Sequence, residues 1–492
     1  MIAEELTYRI RNAMGHVPTT EQQQAMDVFC RFMTDRDERS VMLLRGSAGT
    51  GKTTLAAAIV RALLSLQQKL VLLAPTGRAA KVFSLYSGQP AFTIHRRIYR
   101  QKKMESESAG PLFSLNVNLS KDTLFIVDEA SMISLSPQSS NNFGSGNLLD
   151  DLMQFVYNGQ NCRMMLIGDR AQLPPVGERE SAALLTDVLQ SYYLQVYEAD
   201  LNQVLRQSEE SGILWNATRL RNIPLPRSQG GGNQCLAYGE RIALPKIRFK
   251  GFTDIQIVNE NELIDQLGNS YSSVGRDETI VITRSNKRAN IYNQGIRNTI
   301  LDREDELCYG DELMIVKNNY FVSDKSQVTG DKPLDFLANG DRCVVRRVRN
   351  YQELYGFHFA DATLTFPDYD DFELTATVLL DTLTSEAPAL THEQQQQLYE
   401  GVLADYADIP YKSERLKKLK EDRYYNALQV KYAYAVTCHK AQGGQWAHVY
   451  VDQGYMTDDM LTPDYLHWLY TAFTRATQQL YLVNWPKAQV MD

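Results

Sequence analysis

The sequence predicts an α/β protein with two parallel-sheet domains and a small β-barrel inserted in the second. Three observations carry this. Apolar runs of strand length at 41–44, 70–74, 123–127 and 164–168 alternate with helical patterns and polar or Gly-rich turns, the mark of a parallel sheet covered on both faces. A similar pattern opens near Phe252, with Thr279-Ile280-Val281-Ile282-Thr283 as a strand, after the Pro/Gly-rich stretch 223–232. From about Asp311 the period changes: 313–317, 342–348, 357–366 and 373–380 read as strands separated by turns such as Asn339-Gly340-Asp341, as in small antiparallel barrels.

Composition bounds the function. A chain of 492 residues with 43% apolar and 22% charged residues has enough material for two to four domains with a substantial core. Apolar runs stay short of the roughly 18 residues needed to cross a bilayer, so no membrane association is expected. Met1-Ile2-Ala3-Glu4-Glu5-Leu6 reads as an acidic amphipathic helix start rather than a secretory leader. Six cysteines lie far apart with no C-x-x-C pair, which argues against zinc, iron–sulfur or disulfide frameworks and suits a cytoplasmic location. A net charge of −8 speaks against indiscriminate coating of nucleic acid. Local basic stretches at 94–103 and around Arg342, Arg346, Arg347 and Arg349 fit either a channel or a solvated face.

Taken in order, the elements carry chemistry at their ends. Val41-Met42-Leu43-Leu44 runs into Gly46-Ser47-Ala48-Gly49-Thr50-Gly51-Lys52-Thr53, followed by a helical pattern from Leu55. This is G-x-x-x-x-G-K-[ST] in its strand–loop–helix context. Successive backbone N–H groups at Gly46, Ala48, Gly49, Thr50 and Gly51 can cradle a triphosphate, with Lys52 on the β- and γ-phosphates and Thr53 on Mg²⁺. Leu124-Phe125-Ile126-Val127-Asp128-Glu129 is a buried strand ending in two acids. Asp128 is placed to hold Mg²⁺ and Glu129 to polarise an attacking water. Leu166-Ile167-Gly168-Asp169-Arg170-Ala171-Gln172-Leu173-Pro174-Pro175 is another strand ending in a polar turn. Its Gln172 amide can sense a γ-phosphate or stabilise the turn.

These segments, with Ala-Pro-Thr76-Gly-Arg-Ala-Ala, Thr93-Ile94-His95, Val204-Leu205-Arg206-Gln207, 434–443 and Leu469-Tyr470-Thr471-Ala472-Phe473-Thr474-Arg475-Ala476, resemble the ordered motifs of superfamily 1 helicases. The combination is similar to the 1B branch of RecD, Dda and Pif helicases, and covers residues 19 to 480. The resemblance implies two RecA-like domains that close on ATP, with Arg206 and Arg475 as cationic clamps on the γ-phosphate. It implies nucleotide contacts by Gln22, Thr54 and Gly443 beside the phosphate loop. Pro75, Thr76, Thr93, His95, Thr437 and His439 would face single-stranded nucleic acid.

It implies this organisation: a first domain 1–225 with a pin at 86–120 (tip 106–110, beside Phe113), a linker 226–252, a second domain from 253–310 and 431–492, and an SH3-like and helical insertion 311–430. Three segments depart from the family: Gln445 stands where many relatives have an acid, 134–147 is an insertion rich in Ser, Asn and Gly, and 392–430 carries no family motif. The basic cluster from Lys412 to Arg423 in that last segment fits nucleic-acid contact or simple solvation.

The activity implied is an ATP- and Mg²⁺-dependent DNA helicase acting as a monomer on single-stranded and forked DNA in the 5′-to-3′ direction. An RNA helicase or ribonucleoprotein remodeller of the same superfamily, and a non-catalytic nucleic-acid-binding module, are the alternatives. A small-molecule P-loop kinase leaves the second half of the chain unexplained.

Overall fold

The computed structural model describes residues 2–101, 113–136, 143–204, 210–224, 241–319, 328–329 and 337–491. The chain divides into two compact units, one of Met1–Ile257, Ala441–Gln445 and Tyr455–Asp492, the other of Val258–Lys440 and Trp446–Gly454.

The first unit opens with helices α1 (Ile2–Met14) and α2 (Thr20–Thr34). Strand–helix alternation follows: β1 (Ser40–Gly46), α3 (Lys52–Ser65), β2 (Lys69–Ala74), α4 (Gly77–Ser87), β3 (Ala91–Thr93) and the short α5 (Ile94–Ile98). A hairpin stem, β4 (Tyr99–Gln101) with β5 (Phe113–Leu115), precedes β6 (Thr123–Val127), α6 (Leu148–Tyr157), β7 (Arg163–Gly168), α7 (Thr186–Ser191), β8 (Gln195–Leu201) and α8 (Gly212–Arg221).

Six of these strands form one sheet in the order β3-β2-β6-β7-β1-β8, and all its pairings are parallel. Parallel strands need crossovers that cover both faces, so they read as unbroken apolar runs. Accordingly Val41 to Leu44 in β1, Leu124 to Val127 in β6 and Met164 to Ile167 in β7 are all buried. Helix α3 is held by its own apolar stripe, with Leu55, Ile59 and Leu63 buried against Met42, Leu44 and Ile126. The topology brings the carboxyl ends of β1, β2, β6 and β7 to one edge. In open parallel sheets that edge is where ligands bind.

Strands β4 and β5 pair antiparallel, Tyr99 opposite Leu115 and Gln101 opposite Phe113. The expected tip at 106–110 lies outside the described residues. Strand β9 (Ile247–Arg248) pairs with the last strand of the chain, Val490–Met491, and β10 (Ile255–Val258) ends the unit's first segment.

The second unit begins with α9 (Glu260–Ser273), β11 (Thr279–Thr283) and α10 (Asn286–Gly295). Next come β12 (Glu312–Ile315), the short β13 (Val328–Thr329), then β14 (Arg342–Leu354), β15 (Phe357–Phe366) and β16 (Phe372–Leu379), with which β13 pairs. Helices α11 (His392–Asp405) and α12 (Lys412–Glu421) follow, then β17 (Leu428–Tyr432), β18 (Ala435–Thr437), α13 (Cys438–Ala441) and β19 (Trp446–Asp452). Strands β18 and β19 flank β11 in parallel.

Strands β12, β14, β15, β16 and β17 close into the five-stranded barrel that the change of period predicts. β12 pairs antiparallel with both β14 and β17, and a parallel β16–β17 pairing completes the ring. Asp311, fully buried, accepts from Arg297 at the end of the α10 segment (3.1 Å), from Arg303 (2.6 Å) and from the Tyr434 hydroxyl (2.9 Å). Such a satisfied ionic cluster fixes how the barrel leaves the sheet. The motif-free 392–430 segment folds onto the barrel, where Leu398, Val402 and Leu419 join Phe357, Phe359 and Leu379 in one apolar cluster.

The remaining elements are α14 (Pro463–Phe473), β20 (Ala476–Val483) and β21 (Val490–Met491). The sequence grouped all of 431–492 with 253–310, whereas 441–445 and 455–492 pack into the first unit. The reason is a set of tertiary hydrogen bonds. The Leu173 N–H donates to Thr471 Oγ1 (2.8 Å), and the Gln442 amide donates to the Leu173 carbonyl (2.6 Å).

Candidate functional site

The site lies at the carboxyl edge of the first unit's sheet. The phosphate loop leaves β1 at Gly46, where an added Cβ would stand 2.9 Å from Leu201 Cβ, Lys52 Cγ and Thr50 Oγ1. That close approach requires glycine. Gly51 then enters α3 in the left-handed conformation, φ 80°. Thr50 is buried, and its hydroxyl ties back to the Ser47 carbonyl at 2.7 Å. Lys52 Nζ donates to that same carbonyl (3.0 Å) and stands 4.0 Å from Asp169 Oδ2. Thr53 and Thr54 follow in the first turn of α3, Thr54 exposed.

Beside the loop, β6 delivers Asp128 and Glu129. Burial, with Glu129 as its neighbour, pushes the Asp128 carboxyl up to about 7. Glu129 takes a left-handed backbone, φ 51°, an arrangement that costs free energy outside glycine and recurs at functional sites. Its N–H donates to Asp128 Oδ1 at 2.9 Å. Two adjacent carboxylates with Lys52 as the nearby cation form a donor set that suits a divalent ion. Thr53 and Asp128 would supply few protein ligands, as Mg²⁺ favours when phosphate and water fill its remaining positions. Among the described residues no cluster of three or more His, Cys, Asp and Glu side chains marks a separate metal site.

The third strand end, β7, gives Gly168 to Pro174. Asp169 is 2% exposed and accepts from the Ala171 N–H (2.9 Å) and the Tyr470 hydroxyl (2.5 Å). That hydroxyl in turn accepts from the phosphate-loop amide of Ala48 at 2.8 Å. Tyr470, on α14, therefore links the loop to the β7 turn, a role no sequence pattern announced. Gln172 is buried, with its Oε1 among the side-chain atoms that have no hydrogen-bond partner. Arg475 is 3% exposed; it donates to the Thr471 and Gly444 carbonyls (both 3.2 Å), and its Nη1 stands 3.9 Å from Glu129 Oε1. Arg206, the other expected clamp, lies outside the described residues.

Gln22 is fully buried. Its Oε1 accepts from the Thr19 N–H (3.0 Å) while Thr19 Oγ1 caps the Gln22 amide (3.2 Å), the reciprocal box that Thr-x-x-Gln encodes. Its Nε2 donates to the Thr50 carbonyl at 3.1 Å. Each end of the amide thus makes one bond within the protein, leaving one N–H and one oxygen lone pair for a further partner. Gly443, φ 73°, brings the 441–445 turn against α4, where an added Cβ would lie 3.1 Å from Ala79 Cβ and Thr76 Oγ1. Gln445 offers its carbonyl to Arg78 at 2.9 Å.

The expected nucleic-acid contacts have local structural roles as well. Thr76, after half-buried Pro75, caps α4 by accepting from the Ala79 N–H, and Thr93, buried, caps α5 by accepting from the Arg96 N–H. His95 packs edge-on against Phe143, ring centroids 4.9 Å apart, and burial pushes its pKa down to about 4. It is a neutral aromatic at neutral pH rather than a cation. In the second unit Thr437 ends β18 opposite Thr283, and His439 is exposed on α13. Lys440 beside it reaches Asn339, and burial pushes its pKa down to about 8.

A loop of amides around Lys52, two acids at the neighbouring strand end and a buried arginine beyond them define a P-loop nucleoside triphosphatase. Residues 18–222 match the family described as an AAA domain, and residues 432–483 match the UvrD-like helicase C-terminal domain. The chain is 22% identical to an uncharacterised protein of Acanthamoeba polyphaga mimivirus over 94% of its own length and 98% of the relative's. It is 25% identical to the ATP-dependent DNA helicase Dda of Enterobacteria phage T4, over 66% of each chain. With the ATP-dependent RecD2 DNA helicase of Deinococcus radiodurans it shares 32% identity over 38% of its length and 22% of that protein's. Among solved structures, Pif1 helicase from Bacteroides bound to ADP-AlF3 and single-stranded DNA aligns over 97% of this chain and 95% of the other, at 15% identity and a TM-score of 0.45. The AAA-domain and UvrD-like matches, with the helicase relatives, mark the chain as an ATP-hydrolysing enzyme similar to superfamily 1B helicases.

Proposed function

We propose that the protein is a DNA helicase that uses ATP and Mg²⁺ to move 5′ to 3′ along single-stranded DNA and to open forked duplexes. The observation that carries the reading is the convergence of Lys52, Glu129, Asp169 and Arg475 at one sheet edge, through contacts of 3.9–4.0 Å. In such a site Lys52 holds the β- and γ-phosphates. Glu129 accepts a proton from the attacking water, and Arg475 meets charge developing on the γ-phosphate with a planar, permanently charged fork. Bound Mg²⁺ would supply charge neutralisation there, held by Thr53 and Asp128. Gln172, with its free carbonyl oxygen, orients water or senses the phosphate. Arg206 acts as the second clamp.

Thr76, Thr93, Thr437 and His439 provide the contacts to the strand, with His95 offering a ring face. The phage T4 relative's name describes an ATP-dependent DNA helicase, which favours DNA over RNA. The β4–β5 hairpin, at the head of the first unit's insertion, is the wedge against the duplex.

Lys52→Ala tests this. ATP turnover stimulated by single-stranded DNA is expected to fall by about 10²-fold or more, and unwinding to vanish, with strand binding retained. Loss of binding together with turnover would make the loop a structural element and overturn the motor reading. Stimulation of the unaltered protein by RNA alone would overturn the choice of DNA.

A further inference from the structure

The stem of the hairpin is locked to the body of the first unit by one buried polar bond inside an aromatic box. Tyr99, 7% exposed at the start of β4, donates its hydroxyl to Asp151 Oδ2 of α6 at 2.6 Å. Asp151 is 2% exposed and also accepts from the Ser145 N–H at 3.0 Å. Over this bond lies Gly144, φ 41°, where an added Cβ would stand 2.1 Å from Asp151 Oδ2 and 2.8 Å from Tyr99 Cε1. The Gly144 N–H donates to the Phe113 carbonyl at 3.0 Å, which ties the other strand of the stem into the same lock. Phe143 fills the remaining space, its ring centroid 4.8 Å from both Tyr99 and Phe113 and 4.9 Å from His95.

Each part has a physical reason to be there. A carboxylate this buried is costly unless hydrogen-bonded, and the hydroxyl and backbone amide satisfy it. The aromatic rings bury both sides of the stem, but ring contacts alone tolerate sliding and rotation. A single directional bond between a hydroxyl and a carboxylate does not. A two-stranded stem of three residues per strand has too few ladder bonds to hold a fixed angle by itself.

We propose that the Tyr99–Asp151 bond, closed over by Gly144, is the device that holds the β4–β5 stem at a fixed angle, so that movement along one strand is converted into separation of the duplex. Tyr99 and Asp151 are positioning residues, remote from the phosphate loop in sequence and in bonding. The proposal rests on the reading of the hairpin as a wedge.

Tyr99→Phe isolates the hydroxyl, because phenylalanine keeps the ring contacts. With this variant, ATP turnover on single-stranded DNA is expected to stay within about twofold of the unaltered protein, while forked-duplex unwinding per ATP falls by about tenfold. Hydrogen exchange at the Gly144 and Asn116 amides, which bond the stem, should quicken. Asp151→Asn keeps an acceptor oxygen for the tyrosine and should unwind near the normal rate. Gly144→Ala, which drives a methyl into the bond, should reproduce the Tyr99→Phe defect. Equal unwinding by Tyr99→Phe and the unaltered protein overturns the lock, and so does a proportional loss of ATP turnover and unwinding. If the unaltered protein hydrolyses ATP on single-stranded DNA yet opens no fork, the helicase reading itself fails, and the lock with it.

Discussion

At the scale of single residues, a side chain's neighbours decide its charge state more than its type does. His95 illustrates this. The family resemblance assigns this histidine, within the basic run 94–103, to nucleic-acid contact; its ring packs against Phe143 and Tyr99, and burial lowers its pKa to about 4. The folded state thus disfavours the imidazolium. Its neutral form contributes stability that is fully present above the unfolded value of about 6.5, and that is lost as pH falls through about 4. A ring titration followed by NMR should give a midpoint near 4; a midpoint above 6 would mean the ring is open to water. Asp169 and Tyr470 make the complementary point. Neither type is unusual in its segment, and their bond to each other and to the Ala48 amide arises only once residues some three hundred positions apart meet. The chemistry of Gly46 to Thr53 was legible because it is local, whereas the Tyr470 link is tertiary.

Elements add a second kind of constraint, because residues that serve a ligand also have to end or begin a helix. Thr19 and Gln22 close a capping box at the start of α2, and Gln22 then reaches the Thr50 carbonyl. Removal of the cap hydroxyl in Thr19→Ala should cost about 1 kcal/mol and leave the KM for ATP near its original value. Gln22→Ala loses both amide bonds and leaves the buried Thr50 carbonyl without this donor, a loss of about 1–3 kcal/mol with a raised KM. Denaturant titration and ATP kinetics on the two variants check this; an unchanged KM in Gln22→Ala would detach the glutamine from the nucleotide site. The same logic explains what was readable in this fold. The buried parallel strands β1, β6 and β7 announce themselves as apolar runs, and the barrel announces itself by alternation and turns. The pair α11 and α12 is legible from its helix-forming residues, but its packing is not, because its apolar residues match the barrel's Phe357 and Phe359. The placement of 441–445 and 455–492 with the first unit was equally hidden, since Thr471 and Gln442 make their defining bonds to Leu173.

At the scale of the whole molecule, the proposed function predicts a particular grip on the strand and direction of movement. With a net charge of −8, the protein lacks the bulk attraction that would hold it to any polyanion, so under the proposed function strand contacts come from a few placed groups, for which Thr76, Thr437 and His439 are the candidates. Few contacts suit a motor, because each has to break once per cycle, and they leave binding only weakly dependent on salt. Binding of single-stranded DNA measured from about 50 to 200 mM salt should therefore fall with a shallow log–log slope. A steep slope, of the size produced by about six or more neutralised phosphates, would point to an extended basic groove instead. Direction is tested on forked duplexes that carry a single-stranded tail on one side only. Opening is expected with the 5′ tail and absent with the 3′ tail. The Tyr99→Phe protein provides the internal control: it should still consume ATP on both tails while opening neither efficiently, which separates failure to translocate from failure to split the duplex. Opening from the 3′ tail alone would reverse the proposed direction.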